Sequence, residues 1–282
     1  MLKKIENHII NTTSKNPIIL DVFYKETHSQ KPIIVYSHGF KGFKDWGATN
    51  LMAEYFADNG FVFVKFNFSY NGGTMTNPID FPDLERFSLN TYTKEQDDLN
   101  EVLNFIETNT LTPPTERNLN EIYLLGFSRG GATSIIKSIH DKRIKKVATL
   151  GSLIDLASKF PQEPTIINHW KENKVVFIEN QRTNQQMPIN FGFYEDFIQN
   201  KEKLDILKIG YNLTIPQLII HGTKDETIPL KEAFLMKEIN PKAELFILET
   251  NHTFDTEEPW KKTTMPKALL DGLYKVCLFF KN

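Results

Sequence analysis

Glu121-Ile122-Tyr123-Leu124-Leu125-Gly126-Phe127-Ser128-Arg129-Gly130-Gly131-Ala132-Thr133-Ser134-Ile135-Ile136-Lys137 is the most informative stretch of this chain. Its first five residues form a β-type run, and Ala132 to Lys137 opens a helical one. Between them a serine stands two residues from a glycine on either side. A serine at so sharp a strand-to-helix turn is the pattern of a nucleophile elbow. The turn strains the serine backbone, and residues two before and two after it must be almost free of side chain. The geometry exposes the Ser128 hydroxyl and turns the Arg129 N–H toward the same point.

Outward from the elbow, strand and helix alternate. Two strands are expected over residues 4–11 and 17–25, joined by a polar turn. Lys31 to Ser37 is a continuous β run, as in a strand buried on both faces. A glycine-punctuated loop, His38-Gly39-Phe40-Lys41-Gly42, follows it. A helix is expected over 47–58, a strand from Phe61 to Phe68, and a polar loop over 70–90. Thr93 with Gln96 suggests a capping box before a helix with Leu99, Val102, Leu103 and Ile106 on one stripe. Strands at 145–151, 215–220 and 245–248 and helices at 230–239 and 266–280 complete the pattern. The alternation implies an α/β fold with a mostly parallel, doubly wound sheet and an antiparallel start. It stops between residues 152 and 213, an aromatic and Asn/Gln-rich stretch of mixed helical character. An insertion there would lie over the carboxyl ends of the strands as a cap.

Bulk composition narrows the classes. The chain has 282 residues, 40% hydrophobic and 24% charged, which suits one large α/β domain spanning 1–282. With 33 basic and 35 acidic residues spread evenly, neither nucleic acid nor an anionic membrane is expected as partner. The single cysteine, Cys277, rules out an intrachain disulfide and reads as a small buried hydrophobe. The N-terminal residues lack the apolar core of a signal peptide, and no stretch approaches the ~18 apolar residues of a membrane span. A soluble cytoplasmic protein is expected. No His/Cys/Asp/Glu spacing resembles a metal site, and no cofactor is expected.

A serine hydroxyl needs a base, and the base needs a group that fixes its tautomer. In an elbow-type sheet these follow in the order Ser, acid, His. The loop His221-Gly222-Thr223-Lys224-Asp225 follows the 215–220 strand and offers Asp225, which alone reads equally as a surface turn. The loop Thr250-Asn251-His252-Thr253-Phe254 offers His252. Asp155, past the 145–151 strand, is an alternative acid. Asp255 reads as a turn cap and Glu226 as solvent-facing, while His38 and His221 read as loop-shaping residues bonded to backbone. An oxyanion hole needs two preorganised donors. The Arg129 N–H is one, and the N–H of Phe40, in the loop beside the elbow, is the second.

Together these pieces resemble the α/β-hydrolase family. The likeness is closest to the branch of dienelactone-hydrolase-like, feruloyl-esterase-like and prolyl-oligopeptidase-like serine hydrolases. The segments that carry it are Ser37–Gly42, Phe66–Gly72, Gly126–Gly131, Ile220–Asp225 and Asn251–Phe254. The resemblance implies an eight-stranded sheet flanked by helices with a cap insertion at 152–213. It implies Ser128 as nucleophile, His252 as base, Asp225 as acid, and the Phe40 and Arg129 amides as oxyanion hole. Only about 30 residues precede the first buried strand, against the large N-terminal propeller usual in the oligopeptidase type. The expected activity is hydrolysis of a small-molecule carboxylic ester through an acyl-enzyme. A thioesterase, acyltransferase or small peptidase on the same residues, or a non-catalytic binding protein on this fold, stays open. Trp170, Phe177, Phe191, Phe193, Tyr194 and Phe197 offer aromatic contact in the cap, and Arg182 a partner for a carboxylate. The oligomeric state is not encoded in any recognisable pattern.

Overall fold

The computed structural model describes residues 1–12, 16–108 and 111–282. In chain order the first elements are β1 (Leu2–Ile10), β2 (Ile18–Lys25), β3 (Lys31–Ser37), α1 (Thr49–Asp58), β4 (Val62–Asn67), α2 (Leu84–Ser88) and α3 (Tyr92–Thr108). Next come β5 (Arg117–Phe127), α4 (Arg129–His140), β6 (Ile144–Leu150), α5 (Pro164–Asn173), β7 (Val175–Asn180) and β8 (Gln185–Asn190). The remainder comprises α6 (Gly192–Gln199), α7 (Lys201–Leu204), α8 (Ile206–Ile209), β9 (Gln217–Gly222), α9 (Lys231–Ile239), β10 (Glu244–Leu248) and α10 (Lys267–Lys281).

Eight strands form one sheet in the order β1-β2-β4-β3-β5-β6-β9-β10. β2 runs antiparallel to both its neighbours, and every pair from β4 to β10 is parallel. Alternation along the buried strands sends successive side chains to opposite faces. Ile33, Val35, Leu124, Val147 and Ile219 join a core with α3, α4 and α9. Ile34, Tyr36, Leu125, Ala148 and Ile220 join a second core with Met52 and Phe56 of α1 and Leu273, Val276 and Phe280 of α10. Cys277 lies in that second core, 4% exposed. The strands thus read as unbroken apolar runs because helices cover both faces.

Three local expectations fail. The Thr93–Gln96 box does not form: α3 begins at Tyr92, two residues earlier than a Thr93 cap would place it, and Thr91 Oγ1 accepts the Lys94 N–H at 3.3 Å. Thr93 bonds instead through its N–H and hydroxyl to Asp196 of α6, and Gln96 reaches the Thr133 carbonyl at 2.9 Å. A tertiary acceptor on α6 outcompeted the local one. The 70–90 loop contains the short helix α2, capped by Asp83 Oδ1 accepting from Arg86 N–H. Between 152 and 213 the structure contains an antiparallel hairpin, β7 with β8, as well as helices.

Candidate active site

Ser128 stands where β5 ends and α4 begins, with φ 54° and ψ −120°. A side-chain-bearing residue is rarely held there, and the strain is sustained by what surrounds it. The backbone of β3 crosses so close that a Cβ on Gly130 would come within 2.2 Å of the Ser37 carbonyl oxygen. A Cβ on Gly126 would lie 2.4 Å from the Gly130 carbonyl oxygen. These contacts explain in atoms why glycines flank the serine.

The carboxyl ends of β9 and β10 deliver the two partners. His252 Nδ1–H donates to Asp225 Oδ2 at 2.7 Å, and His252 Nε2 lies 3.0 Å from Ser128 Oγ. A carboxylate can only accept, so the bond to Asp225 fixes the proton on Nδ1 and leaves Nε2 free to accept the serine proton. Asp225 is 8% exposed. Its other oxygen, Oδ1, accepts from the N–H groups of Thr227 (3.0 Å) and Ile228 (2.8 Å). Burial would raise its pKa. Hydrogen bonds from His221, His252 and the Ile228 N–H outweigh that cost and hold the carboxyl well below the usual carboxylate range.

Asp155, the alternative acid, is elsewhere. Its Oδ1 accepts the Ser158 N–H at 3.2 Å in a short 3₁₀ turn. Its own N–H and that of Ile154 donate to the buried Glu232 carboxylate, each at 2.8 Å. Glu226 is exposed, as its position in the turn implies. Asp255 does not cap the turn after His252: Asn251 Oδ1 does, accepting the N–H groups of Thr253 and Asp255 at 3.1 and 3.0 Å. An Asn two residues before a tight turn satisfies backbone donors as well as an Asp does.

His38 shapes its loop through both ring nitrogens. Nδ1–H donates to the Gly39 carbonyl at 2.9 Å, and Nε2 accepts the Phe68 N–H at 3.3 Å. Burial favours this neutral ring and pushes its pKa down to about 4. His221 does more than shape a loop. Its Nε2–H donates to the Ile228 carbonyl at 2.8 Å and also lies 3.3 Å from Asp225 Oδ2. The Asp225 carboxylate is therefore held between two imidazoles.

The β3–α1 loop carrying Phe40 abuts the serine: a Cβ on Gly39 would lie 3.1 Å from Ser128 Cβ. Two buried lysines pin the loop's far end. Lys44 Nζ meets Asp21 at 2.8 Å and Asp45 at 2.6 Å, and Lys65 Nζ meets Asp21 at 2.8 Å and also Asp45. Neither the Phe40 nor the Arg129 amide N–H has an acceptor among the described residues. The Arg129 guanidinium turns away under the loop, its Nε 2.9 Å from Glu95 Oε1. There it lies against the rings of Phe40, Tyr92 and Phe193, at 5.3, 4.5 and 4.7 Å from their centroids.

Above these groups lies a cavity of about 710 Å³. Ser128 and His252 open onto it, and Phe40, Phe127, Trp170, Ile189 and Phe193 give it an apolar wall. The 152–213 segment supplies part of that wall, with Trp170 held by an Nε1–H bond to the Ile189 carbonyl at 3.1 Å. Of the aromatic residues singled out there, Trp170 and Phe193 line the cavity. Phe191 and Phe197 are buried behind it, and Phe177 points to solvent, 62% exposed. Arg182 lines the cavity too, paired with Asp80.

Two further residues shape the site. Phe127 packs its ring against His252, centroids 5.0 Å apart. Gly151, at φ 54°, follows β6, and a Cβ there would lie 3.2 Å from Asp225 Oδ2 and 3.4 Å from His252 Nδ1. A glycine directly after a parallel strand, beside the elbow strand, was the available signal for it. No group of side chains that could hold a metal ion occurs among the described residues, and no helix among them is long and apolar enough to cross a membrane.

Strand order, elbow and covering helices define the α/β-hydrolase fold, and comparison with solved structures agrees. Est1E from Butyrivibrio proteoclasticus, solved with ferulic acid, superposes with TM-score 0.74 at 14% identity over 97% of this chain and 99% of that one. The α/β hydrolase GrgF from Penicillium sp. sh18 gives 0.67 at 15% identity, covering 99% of this chain and 100% of that one. The esterase domain of a Rhodothermus marinus protein gives 0.63 at 14% identity, covering 100% and 98%. No protein-family model matches the sequence, and no curated protein matches it.

Proposed function

We propose that the protein is a serine hydrolase that cleaves a carboxylic ester of a small molecule through an acyl-enzyme. The hydrogen-bonded line Ser128 Oγ, His252 Nε2, His252 Nδ1, Asp225 Oδ2 carries the reading. Ser128 Oγ attacks the ester carbonyl as its proton passes to His252 Nε2. The oxyanion forms against the N–H groups of Phe40 and Arg129, which have no acceptor among the described residues. The C–O bond then breaks, and the leaving alkoxide takes the proton from Nε2. Water attacks the acyl carbon and gives its proton to Nε2, and Ser128 Oγ leaves and recovers it. Asp225 stabilises the imidazolium in both halves and stays ionised. Residues 152–213 act as a cap that shapes the acyl pocket, a reading supported by Leu153, Pro161, Ile166, Trp170, Ile189 and Phe193, which line the cavity. Among the structural neighbours, one is an esterase domain and one was solved with ferulic acid, which accords with an ester substrate.

A fluorophosphonate probe is expected to label Ser128 alone, and Ser128→Ala to lower kcat by roughly 10⁶-fold on short-chain p-nitrophenyl esters. Undiminished labelling or turnover by Ser128→Ala protein would overturn the assignment.

A further inference from the structure

The cavity over Ser128 is unequal in charge. Four basic residues line it, Lys41, Arg129, Lys159 and Arg182, and no Asp or Glu does among the described residues. Over the whole chain the two signs nearly balance, 33 against 35. Two of the four are neutralised from outside the lining: Arg129 by Glu95 and Arg182 by Asp80. Lys41 and Lys159 have no carboxylate at ion-pair distance among the described residues. Lys41 is half-buried, and among the described residues its Nζ donates to the Glu179 backbone carbonyl alone, at 3.2 Å. Partial burial lowers its pKa, the mark of an ammonium that has lost water without gaining a counter-ion. Lys159 is exposed on the cap side of the same cavity. An apolar chamber with unbalanced positive charge at its border concentrates amphiphilic anions and repels cations.

Building on the ester-hydrolase reading, we infer that the substrate is an anionic ester. Its apolar body occupies the chamber, and a carboxylate or phosphate on it meets the ammonium groups of Lys41 and Lys159. Both residues act on binding and orientation, not on the bonds that change. The anion can belong to the acyl part or to the leaving group, and paired substrates separate the two. On the acyl side the pair is methyl hexanoate and monomethyl adipate. On the leaving-group side it is phenyl hexanoate and 3-carboxyphenyl hexanoate.

For each pair the readout is kcat/KM of the anionic ester divided by that of the neutral one, in wild type and in Lys41→Met/Lys159→Met protein. Taking the wild-type quotient over the variant quotient cancels intrinsic reactivity. Methionine keeps the apolar stem and removes only the charge. In at least one arm the double quotient is expected to be ~10 or more at low salt and to shrink at high ionic strength. Values within twofold of one in both arms, with the neutral esters still turned over, would overturn the inference and leave the hydrolase reading intact. The same quotient taken from dissociation constants on Ser128→Ala protein needs no chemistry. A preserved binding preference in a protein that turns over no ester would sink the hydrolase reading and keep the anion site.

Discussion

Asp225 illustrates how much one carboxylate can be asked to do. It accepts from two backbone N–H groups and from His252, with the His221 ring 3.3 Å away, while almost wholly buried. Asn at this position would offer an N–H where His252 presents one, and the ring would settle in the wrong tautomer. Asp225→Asn is expected to lower kcat by ~10⁴, and Asp155→Asn, which disturbs only a turn, by less than tenfold. Comparable losses in the two proteins would return Asp155 to consideration. His38 makes a different prediction, about stability. The fold holds it neutral with a pKa of about 4, below the ordinary 6.5 of the free imidazole. As pH falls below 6.5 the unfolded chain takes up the proton and the folded one resists, so stability drains away until pH reaches about 4. The slope is ~1.4 kcal/mol per pH unit, present in wild type and missing in His38→Gln. Urea melts at a series of pH values read it directly, and parallel pH dependences in the two proteins would contradict the buried neutral ring.

The elbow shows an element whose sequence and surroundings are inseparable. The β5 run and the α4 run are legible in isolation, because the apolar period changes from continuous to helical across Ser128. The tightness of the turn is not a property of those two elements alone. It comes from the end of β3 and the loop it enters, whose carbonyl groups at Ser37 and His38 would lie 2.2 and 2.4 Å from a Cβ at Gly130. Both are backbone atoms, one at the end of a central strand and one just past it, and neither can give way as a flexible side chain would. Gly130→Ala is therefore expected to cost roughly 3 kcal/mol or more in stability, and to part the Phe40 loop from Ser128 in whatever remains folded. An unchanged melting temperature would show that the two segments pack less tightly than this. The start of α3 teaches the converse. Thr93 and Gln96 have the spacing of a capping box, yet Asp196 and the Thr133 carbonyl, both far away in sequence, take their hydrogen bonds. Local pattern proposes a partner, and packing chooses among those within reach.

At the scale of the molecule, the sequence by itself determined the α/β architecture. Covered parallel strands must be continuously apolar and covering helices must be striped, and both patterns survive in one dimension. It also placed Ser128, Asp225 and His252 each just past a strand, since parallel topology brings such loops to one edge of the sheet whatever lies between them. What the tertiary structure alone decided are the matters that depend on distance. Asp225 rather than Asp155 meets His252, His221 shares the carboxylate, Gly151 makes room for it, and Phe127 packs on the imidazole. The hairpin β7–β8 and the balance of charge around the cavity belong to the same class. Counter-ions such as Glu95 and Asp80 stand far from their cations in sequence, so which lysines are left uncompensated emerges only when the chain is folded. Secondary structure is written in periodicity, whereas ionisation, specificity and pairing are set by neighbours that only folding assembles.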